Sequence, residues 1–329
     1  MADLSTKYLG LDLKNPIVAG SSGLSETVEG VIDLEKNGAG AVVLKSLFEE
    51  DILMELHDDF AEMTRPGTTY PDIYDQFDYD TVEDSVSKYL NMIELSKKKV
   101  NIPIIASINC VSSREWPKFA KQIEAAGADA LELNVFVMPS DVDRTSQENE
   151  KIYFDVIEAV KREVKIPISL KISYYFSNLA YMVKELSRSG IEGITMFNRF
   201  YSPDFNLENF TVMSTNVLST PTEAALPLRW ISIMSDRVKC DLAASTGIHD
   251  GRSAVKMILA GADACHVVSA LYRFGNQRIG MILEEMENWM DEKGYDNLDQ
   301  FRGKLSQTKS KNPAAYERAQ FMKYFSGKV

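Results

Sequence analysis

Four times along this chain, an apolar run entered through a lysine, a proline or both is followed by a second apolar run entered through a glycine. An amphipathic stretch lies between the two. The first kind of entry is Lys14-Asn15-Pro16, Asn101-Ile102-Pro103 and Lys165-Ile166-Pro167, with Val238-Lys239-Cys240 as a looser fourth. The second kind is Gly38-Ala39-Gly40, Gly127-Ala128-Asp129, Gly190-Ile191-Glu192 and Gly261-Ala262-Asp263. Glycine suits the left-handed turn that ends a helix. The eight runs are 16–20, 41–46, 102–109, 130–136, 166–173, 193–199, 241–246 and 264–270. They show little polar alternation, as expected of parallel strands buried on both faces. Helical patterns fill the gaps, for example at 116–126, 148–164 and 253–260. Strands and crossovers repeating by quarters predict an α/β fold, a closed (β/α)8 TIM barrel. No Gly-x-Gly-x-x-Gly follows the first strand, which argues against an open dinucleotide-binding sheet.

Three connections are too long for turns: 47–79, 137–147 and 200–222. They follow strands two, four and six, at the end where barrel enzymes build their sites. No linker interrupts the chain, so residues 1–329 read as a single domain with insertions. Hydrophobic residues make up 45% of the chain, enough for a large core. The net charge of −12 argues against nucleic acid or an anionic membrane as partner. Three cysteines without a C-x-x-C and three scattered histidines suggest neither disulfides nor a metal site. The start MADLSTKYLG has no basic-then-apolar signal pattern, and no apolar run approaches the ~20 residues of a membrane span. A cytoplasmic location is expected.

Polar residues gather at the C-terminal ends of the strands: Ser21, Lys45, Ser46, Ser107, Asn109, Asn134, Lys171, Ser173, Asn198, Ser245 and Thr246. Lysine is rarely buried unless paired, so Lys45 and Lys171 at one mouth point to a shared ligand. Ser245-Thr246-Gly247-Ile248 after strand seven and Val268-Ser269-Ala270 after strand eight are where barrels commonly grip a phosphate. A phosphate grip beside a cationic, amide-lined mouth suits a flavin mononucleotide. A lysine at the ring edge would stabilise the charge that grows on reduction.

The chain resembles the class 1, soluble, FMN-dependent dihydroorotate dehydrogenases and their close relatives, nearly end to end. The likeness rests on NPIVAGSSG at 15–23, VLKS at 43–46, LELN at 131–134, SLKIS at 169–173 and FNRF at 197–200. It continues with STGIHDG at 245–251, LAGADACHVVSAL at 259–271 and GYDNLDQFRGKL at 294–305. Residue by residue, the resemblance implies that Ala19, Gly20, Ser21 and Asn109 lie against the flavin. Lys45 and Ser46 would contact the flavin and shape the substrate side, and Lys171 would bond the ring edge. Asn134 and Asn198 match amides for cofactor or substrate. Thr246, Gly247, Val268 and Ser269 match the phosphate grip.

Three regions depart from the family pattern. After strand four the family carries an asparagine, two residues and then a cysteine or serine base before a proline. Here the run is Asn134-Val135-Phe136-Val137-Met138-Pro139, and a thioether has no proton to exchange. An asparagine expected beyond the proline is replaced by Ser140 or Asp141, and none is recognisable within 47–79. Glycine-rich flavin contacts before the sixth helix are replaced by Leu218-Ser219-Thr220-Pro221. The expected reaction is oxidation of dihydroorotate to orotate, a step of pyrimidine biosynthesis, by hydride transfer to FMN. The alternatives are a related flavin enzyme acting on another small cyclic amide or enoate, or a catalytically degenerate FMN-binding protein. Ser140, Cys110 and Tyr174 are the candidate bases. Aromatics at Phe200, Tyr201 and Phe205 suggest either a homodimer contact or a cover over the mouth.

Overall fold

A computed structural model of the chain describes residues 2–48, 84–109 and 115–318. A hairpin of β1 (Thr6–Tyr8) and β2 (Leu11–Leu13) leads into β3 (Ile17–Ala19), helix α1 (Val28–Lys36) and β4 (Ala41–Val43). The short β5 (Leu47–Phe48) extends the sheet, and α2 (Asp84–Lys99) returns the chain to β6 (Ile104–Asn109). Then follow α3 (Glu115–Ala125), β7 (Ala130–Asn134), α4 (Ser146–Glu163), β8 (Ile168–Ile172), α5 (Leu179–Leu186) and β9 (Gly193–Met196). A second hairpin, β10 (Ser202–Asn206) and β11 (Thr211–Thr215), precedes α6 (Ala225–Met234), β12 (Asp241–Ser245), α7 (Gly251–Ala260) and β13 (Ala264–Val267). The short α8 (Ser269–Phe274) and the longer α9 (Arg278–Lys293) complete the outer ring.

Strands β3, β4, β6, β7, β8, β9, β12 and β13 are parallel neighbours in that order. The ring closes with His266 beside Val18 and Val267 beside Ala19. This is the (β/α)8 barrel expected from the quarter repeat. The repeat has a physical cause at the barrel's N-terminal face. The acidic residue two or so positions past the helix-stopping glycine accepts a backbone N–H from the preceding odd strand. Asp129 accepts from Ile104 at 2.7 Å, Glu192 from Ile168 at 2.8 Å and Asp263 from Leu242 at 2.9 Å. In the first quarter Asn15 replaces the acid, accepting from Ile17 and donating to the Gly38 carbonyl. Gly38, Gly127, Gly190 and Gly261 all have φ between +88° and +113°, as their helix-stop role requires.

The helices bury one stripe each. Helix α4 shows why: Tyr153, Val156, Ile157 and Val160 recur at helical spacing and pack on the barrel. Thr145 and Glu148 form a reciprocal capping box at its start, an arrangement that stabilises a helix by about 1 kcal/mol.

Two features differ from the sequence expectation. The N-terminal hairpin plugs the bottom of the barrel. Tyr8 is fully buried there, its hydroxyl 3.2 Å from Ser169 Oγ and 3.4 Å from Thr195 Oγ1. Three-residue strands are too short to show a period, so the hairpin left no pattern in the sequence. The 200–222 connection is also more ordered than a loop, because five-residue strands pair within it. The 47–79 connection lies almost wholly outside the described residues.

Candidate active site

The site is built from the strand ends. On β8 the inward phase is Ser169, Lys171 and then Ser173, so Lys171 stands on the interior face beside Asn134 of β7 and Thr195 of β9. Its side chain is only 12% exposed. Asn134 is buried, and Asn198, just beyond β9, donates its side-chain amide to Asn134 Oδ1 at 2.8 Å. The Asn198 Oδ1 in turn accepts from the Arg199 backbone. The predicted lysine and amides therefore share one edge of the mouth.

Opposite them lies a serine cluster. Ser46 Oγ is 2.8 Å from Ser107 Oγ and 3.1 Å from Ser21 Oγ, and its N–H donates to Ser21 Oγ. Tyr89 on α2 braces it, accepting from the Ser107 N–H and donating to the Ser107 carbonyl. Ala19 is buried at the end of β3, and Asn109 ends β6. Gly20 makes a close approach: a Cβ there would lie 2.8 Å from Val268 Cγ2. Lys45 takes a different course from Lys171. It is half-exposed and bonds Glu26 at 2.9 Å.

The predicted phosphate region is brought together as well. Thr246 and Gly247 both take positive φ, 81° and 79°, and form a tight turn after β12. Ser219 and Ser269 meet there. Ser269 Oγ accepts from the Ser219 N–H at 2.9 Å, and Ser219 Oγ accepts from the Gly247 N–H at 3.4 Å. His249 Nε2 lies 3.1 Å from Ser219 Oγ, and burial holds this imidazole below its ordinary pKa, with Arg273 adding to the effect. Ser219 was not among the expected residues, because it stands where the family glycines are missing. Its signal was a small hydroxyl between an apolar residue and Thr-Pro, just before a helix. Strand eight ends earlier than expected, at Val267, and Ser269 already begins α8.

Two of the three candidate bases lie among the described residues. Ser140 is exposed in the loop after β7, where its N–H donates to the Met138 carbonyl. Met138 is itself half-exposed. Cys110 lies outside the described residues. Tyr174 sits in an aromatic cluster with Phe136, Tyr175, Phe197 and Phe200. In it Phe136 stacks on Phe200 at 4.5 Å and Tyr174 meets Phe197 edge-on at 5.8 Å. Burial, with Tyr175 beside it, raises the Tyr174 phenol above its ordinary pKa. Phe200 thus packs over its own barrel mouth, whereas Tyr201 and Phe205 are exposed. This cluster borders a cleft of about 480 Å³ that also meets Asn198, Arg199, Glu223 and Thr246. Arg199 is committed within it, bonding Glu223 at 3.0 Å and the Asn216 and Val217 carbonyls.

A parallel barrel whose mouth joins a buried lysine, paired amides and a hydroxyl-lined turn defines an enzyme site of the barrel oxidoreductase type. The sequence profile of the dihydroorotate dehydrogenase family matches residues 80–290, well over half of the chain. This chain belongs to the dihydroorotate dehydrogenase family. Curated relatives agree along nearly their whole length, each named dihydroorotate dehydrogenase B (NAD(+)), catalytic subunit. The protein of Thermoplasma volcanium is 23% identical, with 92% of this chain and 98% of the relative covered. That of Methanocaldococcus jannaschii is 24% identical, over 88% and 94% respectively. That of Bacillus cereus strain G9842 is 25% identical, over 92% and 97%.

The family is flavin-dependent, and the residues present fit such a group. The cation at the mouth, the close approach at Gly20 and the Gly247 turn flanked by the Ser219 and Ser269 hydroxyls match a ring edge, a ring and a phosphate. Among the described residues no His, Cys, Asp and Glu group is arranged to hold a metal, and no helix is long and apolar enough to cross a membrane.

Proposed function

We propose that this protein is an FMN-dependent dehydrogenase that oxidises dihydroorotate to orotate, the ring-desaturating step of pyrimidine synthesis. The observation that carries the reading is Lys171, largely buried on the inner wall beside the Asn134–Asn198 amide pair. When bound, FMN supplies a hydride acceptor; the protein must supply everything else. Lys171 places a positive charge where the ring gains negative charge. Asn134 and Asn198 offer donors and acceptors to a cyclic imide, while Ala19, Gly20, Ser21, Ser46 and Asn109 shape the floor. The Gly247 turn and the hydroxyls of Ser219 and Ser269 hold the phosphate, with Thr246 and Val268 fixing the backbone on either side. The aromatic cluster keeps water away from the reacting carbon. The substrate proton goes to Ser140 or Cys110. Tyr174, whose raised pKa keeps it protonated at neutral pH, suits a proton donor better than a base.

One observation favours a second reading. Met138 is half-exposed at the position where the family carries its base, and the neighbouring wall is aromatic. A related cyclic amide or enoate would fit such a wall, with the same cofactor and the same Lys171. We read the protein as a single domain, cytoplasmic, and as a homodimer. Exposed apolar residues on the second hairpin, Phe205, Phe210 and Val212, support the last point. The reading is tested by releasing the flavin from purified protein and weighing it. FMN supports the assignment, and a colourless protein that takes up no added FMN rejects it.

A further inference from the structure

Below the mouth, the barrel interior carries a charge pair where charge is costly. Lys171 Nζ lies 4.0 Å from Glu132 Oε1, and the glutamate side chain is 1% exposed. Thr195 donates its hydroxyl to the other carboxylate oxygen, Oε2, at 3.0 Å. Oε2 is therefore fixed, while Oε1 has no hydrogen-bond partner and faces the lysine. His266 Nδ1 stands 3.8 Å from Oε2, and neither of its ring nitrogens has a hydrogen-bond partner. Burial pushes the His266 pKa down to about 4, against the pull of Glu132 and with help from Lys171. The imidazole is thus neutral at pH 7 and leaves the carboxylate to the lysine. The other titratable groups facing Glu132 are Tyr8 from the first hairpin and Tyr89 from α2. Burial raises both phenols above their ordinary values, and Glu132 raises them further, so both are uncharged.

A mostly buried lysine without a counter-charge loses its proton easily, whereas an anion within about 4–6 Å favours the charged form. We propose that Glu132 is a positioning residue that keeps the Lys171 ammonium charged and directed to the mouth across the working pH range. The inference rests on the reading that Lys171 faces the flavin. Within it, Thr195 orients the carboxylate and His266 is a neutral neighbour that does not divert it. A neutral lysine could not stabilise the charge that grows on the cofactor during reduction.

The test uses full-length, flavin-loaded protein and two readouts: the flavin midpoint potential against pH, and the flavin reduction rate relative to wild type at each pH. Glu132→Gln removes the counter-charge that faces the Lys171 ammonium. The rate ratio should fall by about tenfold between roughly pH 6 and pH 9, and the potential should drop more steeply with pH than in wild type. Glu132→Asp should restore most of the wild-type profile. Thr195→Val, which frees Oε2, should give a shallower version of the same change, and it carries the test if the glutamine variant fails to fold. In a Lys171→Met background, Glu132→Gln should add no pH dependence. A Glu132→Gln protein that tracks wild type at every pH, while Lys171→Met alters both readouts, overturns the inference and spares the role of Lys171. A wild-type profile in Thr195→Val, where that variant carries the test, also overturns it. A Lys171→Met protein indistinguishable from wild type overturns the underlying reading instead.

Discussion

Asn198 donates its side-chain amide to Asn134 Oδ1 at 2.8 Å, joining the ends of β9 and β7 across the strand that carries Lys171. The pair is set to act as one substrate-orienting unit. Asn198→Ala would leave the buried Asn134 oxygen without its donor, at a cost of about 1–3 kcal/mol. The variant should raise KM for the substrate by about tenfold or more with flavin content unchanged. An unchanged KM in steady-state assays would remove both asparagines from the substrate's binding surface.

Lys171 should matter for reduction more than for binding. Lys171→Met keeps a long apolar stem but removes the ammonium, so most of the flavin should remain bound. Reduction should slow by about 10²-fold, the scale of losing one preorganised charge at a developing anion. Stopped-flow reduction alongside flavin content separates the two effects. A variant that loses its flavin yet reduces normally when reloaded would make Lys171 a binding residue only.

Gly247 admits no side chain. A Cβ there would lie 2.2 Å from the Ala224 backbone nitrogen, and its φ of 79° is unfavourable for other residues. Gly247→Val should therefore displace the turn between Ser219 and Ser269 and lower the occupancy of FMN. Flavin-to-protein ratio after dialysis reads this directly. Full retention would place the phosphate elsewhere.

Stability should show two opposing acid responses. His266 has its pKa depressed to about 4 from 6.5, so its contribution is present above pH 6.5 and is lost as pH falls through 4. Asp263 runs the other way. Burial raises its carboxyl to about 6, despite Arg302, so its contribution is present below the unfolded value of 3.8 and lost as pH rises through 6. Each shift corresponds to about 3 kcal/mol, and between those limits they largely cancel. His266→Gln should expose the Asp263 response, making stability fall as pH rises from about 4 to 6. Urea melts at several pH values, where the variant kept the wild-type slope, would deny that His266 titrates as a buried neutral group.

The barrel was legible because its quarters repeat a physical device, a glycine stop followed by an acid that accepts a strand N–H. Asp129, Glu192 and Asp263 mark three of them in the sequence. The mouth was legible in the same way, since Lys171, Asn134 and Thr246 end apolar strands. Glu132 and His266 give no comparable signal, although both interrupt apolar runs on the inward phase, Glu132 two residues before Asn134. A single charge inside a strand reads as a surface position until the strand is known to be closed on both sides. Ser219 was hidden because its partners, Gly247 and Ser269, lie on other elements, and only folding brings the three together.

The most direct measurement mixes the oxidised, flavin-loaded protein with dihydroorotate in the absence of oxygen. If the protein oxidises dihydroorotate, the blue absorbance of the flavin bleaches and orotate appears in equal amount. Flavin that stays oxidised with dihydroorotate, yet bleaches with a chemical reductant, would contradict that activity and assign the Met138 loop to another substrate.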